Sequence, residues 1–249
     1  TAWVKEAEAI EPLAKKHNLV CMVGHHGRYT PTARLVRQVL EEGKLGRLCN
    51  IMVTCCSSGA LAQKAGDWRV EAGKNPGGPM LQCGIHKVDL LLGLLGPVKQ
   101  VSAIMQDDIT EFEPADNIMA LMQFSNGVQA TFVCNYATAY LHTMHFLGTR
   151  ANLHIQMHIT GYGQSEAYLQ QRAEGVYEPW EAIPIPVDSS YPDKHGGVLE
   201  TSFAEQIRTG RPDYTNLRES VAALRVVHAI VESYHTNQVV LCDSPPQKV

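Results

Sequence analysis

The chain has 249 residues, 45% of them hydrophobic and 18% charged, and a formal net charge of -4 at pH 7. This is the make-up of a globular protein able to bury a sizeable core, long enough for one domain or for one and a fraction. The negative balance gives no electrostatic reason to expect nucleic acid or an anionic membrane as partner, and no apolar stretch approaches the ~20 residues of a bilayer-spanning helix.

In chain order, residues 2 to 17 read as an amphipathic charged helix without the basic start and apolar block of a signal peptide. LVCMVG at 19 to 24 predicts a short strand, and the loop HHGRYTP leads into a helix over TARLVRQVLEEG that Gly43 closes. RLCNIMVTCCSS at 47 to 58 predicts a strand, and a segment rich in Gly, Lys, Asn and Pro at 59 to 79 contains GDWR. A helix follows over 79 to 95. After Gly96 come strands in VKQVSAIMQ, NIMALMQF, VQATFVCNY, HTMHFLG and ANLHIQMHI, the second and third joined by the hairpin signal Ser125-Asn126-Gly127. A further strand pair is expected within 165 to 187. Helices return at 199 to 209 and at 217 to 236, the last with Asn216 as N-cap and Glu219 completing a capping box. Consecutive strands flanked by helices define an α+β fold, an antiparallel or mixed sheet with helices on one face.

Seven cysteines, odd in number and without a CxxC pair, argue against a disulfide framework and for a reduced, cytoplasmic setting. Cys55 and Cys56 are adjacent on a strand and face opposite sides, so they do not share a metal easily. The eleven histidines show no HExxH or comparable ligand spacing, which leaves no metal site to assign. In 152 to 159, Leu153, Ile155, Met157 and Ile159 alternate with Asn152, His154, Gln156 and His158. His154 and His158 lie about 13 Å apart, too far for one metal. The polar face of this strand is either solvated or packed against a second copy of the chain.

The segment GGPMLQCGIHKVDL, 77 to 90, raises the functional question. Two glycines and a proline open a helix rich in Met, Leu, Ile and Val, and yet it carries Gln82, His86 and Asp89. At about 100° per residue these three and Gly93 fall on one stripe roughly 60° wide. A polar stripe on so apolar a helix is exposed to water or lines a polar cavity, and Gly93 allows a backbone or a ligand to approach closely. His86 and Asp89 are three residues apart, within side-chain reach, so the carboxylate is expected to favour the imidazolium and to fix the ring. A histidine tuned in this way takes a proton near neutral pH. Gln82 can orient a hydroxyl but cannot serve as the proton acceptor. The same spacing also suits a surface hydrogen bond with no functional part.

The series HHGRYTP, a helix ending EEGKLG, DWR, GGPMLQCGIHKVDLLLGLLG, FLGTRANLHI and SFAEQIRTGRPDYTNLRESVAALRVVHAIVES resembles the Gfo/Idh/MocA family of NAD(P)-dependent sugar, inositol and related dehydrogenases and reductases, over about residues 2 to 240. The resemblance implies residues 1 to 24 as the terminal helix and strand of a Rossmann domain, and 25 to 249 as a substrate-binding and oligomerisation domain. That second domain is expected to hold an open-faced, predominantly antiparallel sheet. It implies His86 as the catalytic acid/base, with Gln82, Asp89, Arg28, Trp68 and Arg69 lining the cleft for a small-molecule substrate. NAD or NADP is the implied cofactor, and a homo-oligomer formed through the open sheet face the implied assembly. The family's helix presents Asp-x-x-x-His-x-x-Asp, and here Gln82 stands at the first acid, so substrate or proton route differs from the sugar dehydrogenases.

No GxGxxG follows a strand in this sequence, and no Glu-Lys-Pro signature is present. The sequence is therefore expected to be a fragment of a dehydrogenase or reductase acting on a sugar, polyol or related cyclic alcohol or carbonyl, inactive without its dinucleotide-binding part. A non-catalytic oligomerisation or ligand-binding module of the same fold is the alternative.

Overall fold

The computed structural model of the protein describes residues 1–64, 66–111, 113–157, 165–173, 178–186 and 197–242. Alternation at a period of two builds its sheet. In Asn117–Phe124 every second residue, from Ile118 to Phe124, is buried, which lays one side of the strand on a core. The strands are β1 (Leu48–Cys56), β2 (Val98–Gln106), β3 (Asn117–Phe124), β4 (Gln129–Asn135), β5 (Leu141–Gly148), β6 (Ala151–Met157), β7 (Ser165–Gln171), β8 (Glu181–Ile183) and β9 (Val240–Leu241). They form one nine-stranded sheet in the order β8-β7-β6-β5-β1-β4-β3-β2-β9. β1 and β4 run parallel, with Cys55 opposite Cys134. The other neighbours run antiparallel. The expected hairpin joins β3 to β4, closed by the Phe124 N–H on the Val128 carbonyl at 2.8 Å. Residues 158 and 159 of the expected sixth strand, His158 among them, lie outside the described residues.

The helices are α1 (Val4–Lys16), α2 (Pro31–Glu41), α3 (Ile85–Leu95), α4 (Val198–Thr209) and α5 (Thr215–Thr236). α2 begins where its sequence signals place it. Thr30 accepts a hydrogen bond from the Ala33 N–H, and Pro31, which has no N–H to satisfy, takes the first helical position. Helices α2, α3 and α5 bury one side of the sheet. Val36, Val39, Val88, Leu91, Val227 and Ile230 pack against Ile51, Val53, Phe132, Phe146 and Ile155 in a single core. Met52, Ile104, Met119 and Leu121 are exposed on the opposite side of the sheet. The fold is thus α+β with an open-faced, predominantly antiparallel sheet.

Two local expectations fail, for one reason. Residues 19 to 24 form no strand. Their backbone groups bond instead to side chains at the start of α5. The Tyr214 hydroxyl donates to the Leu19 carbonyl at 3.0 Å. The Val23 N–H donates to Asn216 Oδ1 at 2.6 Å, and Asn216 Nδ2 donates to the Val23 carbonyl at 3.2 Å. A primary amide presents an N–H donor and a carbonyl acceptor side by side, as a neighbouring strand residue would. Asn216 therefore does not cap α5, which starts a residue earlier with Tyr214 at the N-cap position, and Glu219 is free to bond elsewhere. α1 docks on the same helix. Ala7 packs against Val221 and Leu224, and Ala14 against Tyr214 and Leu217, while Arg218 and Arg225 hold Glu11 and Glu8. Among the described residues no helix is long and apolar enough to cross a membrane.

Candidate active site

The functional segment opens with a turn the sequence did not disclose. Gly78 has φ +49°, and a Cβ there would lie 2.4 Å from the Ala115 carbonyl oxygen, so only glycine fits. Met80–Gly84 then forms a π-helical turn that passes into α3 at Ile85. Such wide turns inside helices recur at functional sites. Gln82 lies on the wide turn, and His86 and Asp89 on the α-helix after it.

The environments of the three differ sharply. Asp89 is 1% exposed, and both its oxygens are taken by Arg28, through Nε at 2.7 Å and Nη2 at 2.8 Å. Arg28 Nη1 reaches Glu219 Oε2 at 2.7 Å. The guanidinium lies over Gly93, where a Cβ would come within 3.0 Å of Nη1. What approaches the helix so closely at Gly93 is thus an arginine side chain, neither a backbone nor a ligand. Arg28 and Asp89, expected to line the cleft for substrate, are instead joined as a buried ion pair. Its fork-to-fork geometry is the strongest that a carboxylate and a guanidinium can adopt.

His86 therefore does not have Asp89 as its orienting partner. Its Nδ1 lies 3.2 Å from Nδ1 of His25, with the rings edge to face at 5.2 Å. Two facing Nδ1 atoms make one hydrogen bond when one ring carries the proton there and the other does not, which favours two neutral rings. His25 is 5% exposed, whereas His86 is open to solvent. Desolvation pushes both down to about 4, reinforced at His86 by the neighbouring His25 and at His25 by Arg28. Asp89 still favours the imidazolium of His86, as expected, but burial, His25 and Lys87 outweigh it.

Gln82 is half-buried, and its Nε2 donates to the Arg69 carbonyl at 3.3 Å, which leaves Oε1 as the acceptor the side chain can offer. Asn75 Nδ2 donates to the same carbonyl at 2.7 Å. The Arg69 guanidinium stacks over the Trp68 ring at 4.5 Å, with Asp67 at 3.9 Å, and Trp68 is exposed. The structure thus brings His86, Gln82 and the Trp68–Arg69 loop to the start of α3. His25, Glu219 and Lys87 were not among the expected site residues. His25 had a signal, since it shares the HHGRYTP run with Arg28. Lys87 had one too, as a charge in an otherwise apolar helix; its Nζ lies 2.8 Å from Met157 Sδ. Glu219 had none, because its sequence context reads equally well as a helix cap.

The glycine pair at 77 and 78 is packed against Leu81, Val227 and Ala115, so the room its missing side chains leave is filled by the protein itself. Among the described residues no group of three or more His, Cys, Asp or Glu side chains is placed to hold a metal ion.

Comparison with known proteins agrees with this architecture. Residues 33–154 match the model of the GFO/IDH/MocA C-terminal domain. It is 26% identical over 155 residues to trans-1,2-dihydrobenzene-1,2-diol dehydrogenase of Mus musculus, a match covering 61% of this chain and 45% of that enzyme. This chain therefore matches less than half the length of that relative. A proposed NADPH-dependent oxidoreductase from Desulfitobacterium hafniense superimposes with a TM-score of 0.88 at 25% identity, over 97% of this chain and 70% of the other. Levoglucosan dehydrogenase in complex with NADH and levoglucosan gives a TM-score of 0.80 at 18% identity, over 98% and 72%, a likeness of fold.

Removing one partner of a buried, bidentate ion pair strands the other charge. Arg28→Met is expected to lower stability by about 3–5 kcal/mol in urea unfolding, and Arg28→Met combined with Asp89→Leu to recover much of that loss. A single-variant loss below about 1 kcal/mol, the range of an exposed pair, would show that the bridge does not hold the site together.

Proposed function

We propose that this chain supplies the substrate side and the proton-transfer group of an oxidoreductase that interconverts an alcohol and a carbonyl on a sugar, polyol or related ring. His86 carries the reading. It is an exposed imidazole, neutral at physiological pH, with Nδ1 held by His25 and Nε2 left for a substrate. The match to the GFO/IDH/MocA C-terminal domain and the diol and levoglucosan dehydrogenases among the relatives support the same class of reaction. The hydride carrier, by likeness to relatives described with NADH or NADPH, is a nicotinamide dinucleotide, and no described residue of this chain is assigned to it.

What these residues do is handle the proton and the hydroxyl. In oxidation the His86 ring carries its proton on Nδ1, donated to His25, and Nε2 accepts the proton of the reacting hydroxyl; in reduction the ring first takes a proton from solvent and then gives it to the carbonyl oxygen. The low pKa keeps the ring unprotonated at neutral pH and makes it a weak base, so a proton taken from the hydroxyl passes on readily to solvent. Gln82 Oε1 is placed to accept from an adjacent hydroxyl, and Trp68 offers an apolar plate for a ring face. Arg28 and Asp89 act only through position, by fixing α3 against the loop that carries His25.

Assayed with NAD(H) and NADP(H) in the protein as its own gene encodes it, His86→Asn is expected to lower kcat by about 10²–10⁴-fold with little change in KM. Equal effects on both parameters, or none, would reduce His86 to a packing residue.

A second proposal concerns the open sheet face. Met52, Ile104, Met119 and Leu121 are exposed there, and a shallow groove between Asn50, Ser102, Leu121 and Thr131 runs along it. On β5 and β6 the His145 and His154 rings lie 4.2 Å apart on the same side, tilted by 37°, with Tyr168 beyond. We propose that a second copy of the chain covers this face, since exposed apolar patches of this kind mark interfaces. Light scattering is expected to give at least a dimer, and Leu121→Lys to shift it to monomer. A wild-type protein that runs at monomer mass contradicts this.

A further inference from the structure

Beside the stripe of Gln82 and His86 runs a second one on the same helix, Cys83 and Lys87, each a single residue further on. Three inward-facing residues of the sheet meet it: Cys55 on β1, His142 on β5 and Met157 on β6. His142 Nε2 lies 3.8 Å from Cys55 Sγ, and Lys87 Nζ lies 2.8 Å from Met157 Sδ. A thioether is a weak acceptor for an ammonium group. Among the described residues no carboxylate reaches Lys87. The acids of this region are already committed, Asp89 and Glu219 to Arg28, and Asp67 to Arg69. Nor do the thiols supply a negative charge: Cys55 and Cys83 bond to each other, and that bond together with burial pushes Cys83 up, while Cys55 is pushed up chiefly by Cys134. Burial also draws the Lys87 ammonium below its ordinary range, the mark of a charge without compensation.

Charges enclosed by protein are as a rule paired, because leaving one unpaired costs several kcal/mol. Here the pairing is incomplete one residue from the proposed proton-transfer group, close enough for the Lys87 charge to oppose protonation of His86. The Arg69 guanidinium adds a second positive group at the same end of the helix, and the neutral Gln82 amide adds nothing that repels an anion.

We propose that Lys87 binds an oxyanion, a carboxylate or a phosphate, carried by the substrate whose hydroxyl faces His86. This rests on the reading of His86 given above and narrows it: the preferred substrate is an acidic sugar or polyol derivative and not a neutral one. The oxyanion accepts from the ammonium in place of Met157 Sδ, with His142 at the rim and Arg69 opposite.

The probes are D-glucose, D-glucuronate and D-glucose 6-phosphate, which share a ring and differ in charge, titrated calorimetrically into the protein. At least one of the two acidic sugars is expected to bind about tenfold or more tighter than glucose, as a hydrogen bond to a charged group provides. The one that does so identifies the oxyanion. Lys87→Met is expected to abolish the preference, and Lys87→Arg, which keeps the charge, to retain most of it. Equal binding of all three sugars, no measurable binding of any, or a preference that survives Lys87→Met overturns the proposal. His86→Asn is expected to leave the preference in place, so the anion site and the proton-transfer role fail by separate measurements.

Discussion

The site depends on one buried guanidinium. Arg28 is delivered by the short helical turn after residue 25, and it binds Asp89 on α3 with two hydrogen bonds and Glu219 on α5 with a third. It thereby ties together three segments far apart in sequence. Gly93 leaves the room for this contact, since a Cβ there would press on the guanidinium at 3.0–3.2 Å. With Arg28 fixed, the preceding residues have little freedom, and His25 is brought against His86. The polar stripe of α3 is divided accordingly: its inner member anchors, and its outer member is left for chemistry.

That division sets the electrostatics. A carboxylate beside a histidine stabilises the imidazolium, whereas a carboxylate already bound twice by arginine contributes little to a neighbouring ring. His86 has an imidazole for its nearest polar neighbour and the Lys87 ammonium beside it, and both oppose protonation. Neutrality at physiological pH is therefore built into the fold. The same logic gives Lys87 its significance, because Asp89 two residues on, Glu219 and Asp67 are each bound to an arginine.

Much of this was legible in the sequence, and the rest was hidden for identifiable reasons. Period-two alternation announced the strands of the sheet, and NIMALMQF and VQATFVCNY with their Asn-Gly connection formed the expected hairpin. The single stripe of Gln82, His86 and Asp89 was also readable from helical spacing. Spacing, however, shows which residues can meet along a helix and is silent on competition from elsewhere in the chain. Asp89 lies within reach of His86, but Arg28, 61 residues away in sequence, holds it with better geometry. Asn216 and Glu219 have the pattern of a capping box, and both are drawn off by long-range partners, Val23 and Arg28. The apolar run at 19 to 24 has strand composition, but a strand also needs a ladder, and its hydrogen bonds go to side chains of α5. In each case a local signal was overridden by one contact between distant segments.

The account turns on the paired imidazoles, and ring nitrogen NMR of His25 and His86 as a function of pH tests it most directly. Both rings are expected to stay neutral from pH 8 down to pH 6, to share a single proton between their Nδ1 atoms, and to titrate near about 4. For the buried His25, a folded-state pKa below its ordinary 6.5 means that the unfolded chain takes up protons first. Its contribution to stability is therefore complete above about pH 6.5 and is lost as the pH falls through about 4. Independent titration of the two rings close to 6.5, with no proton shared between them, would contradict the account.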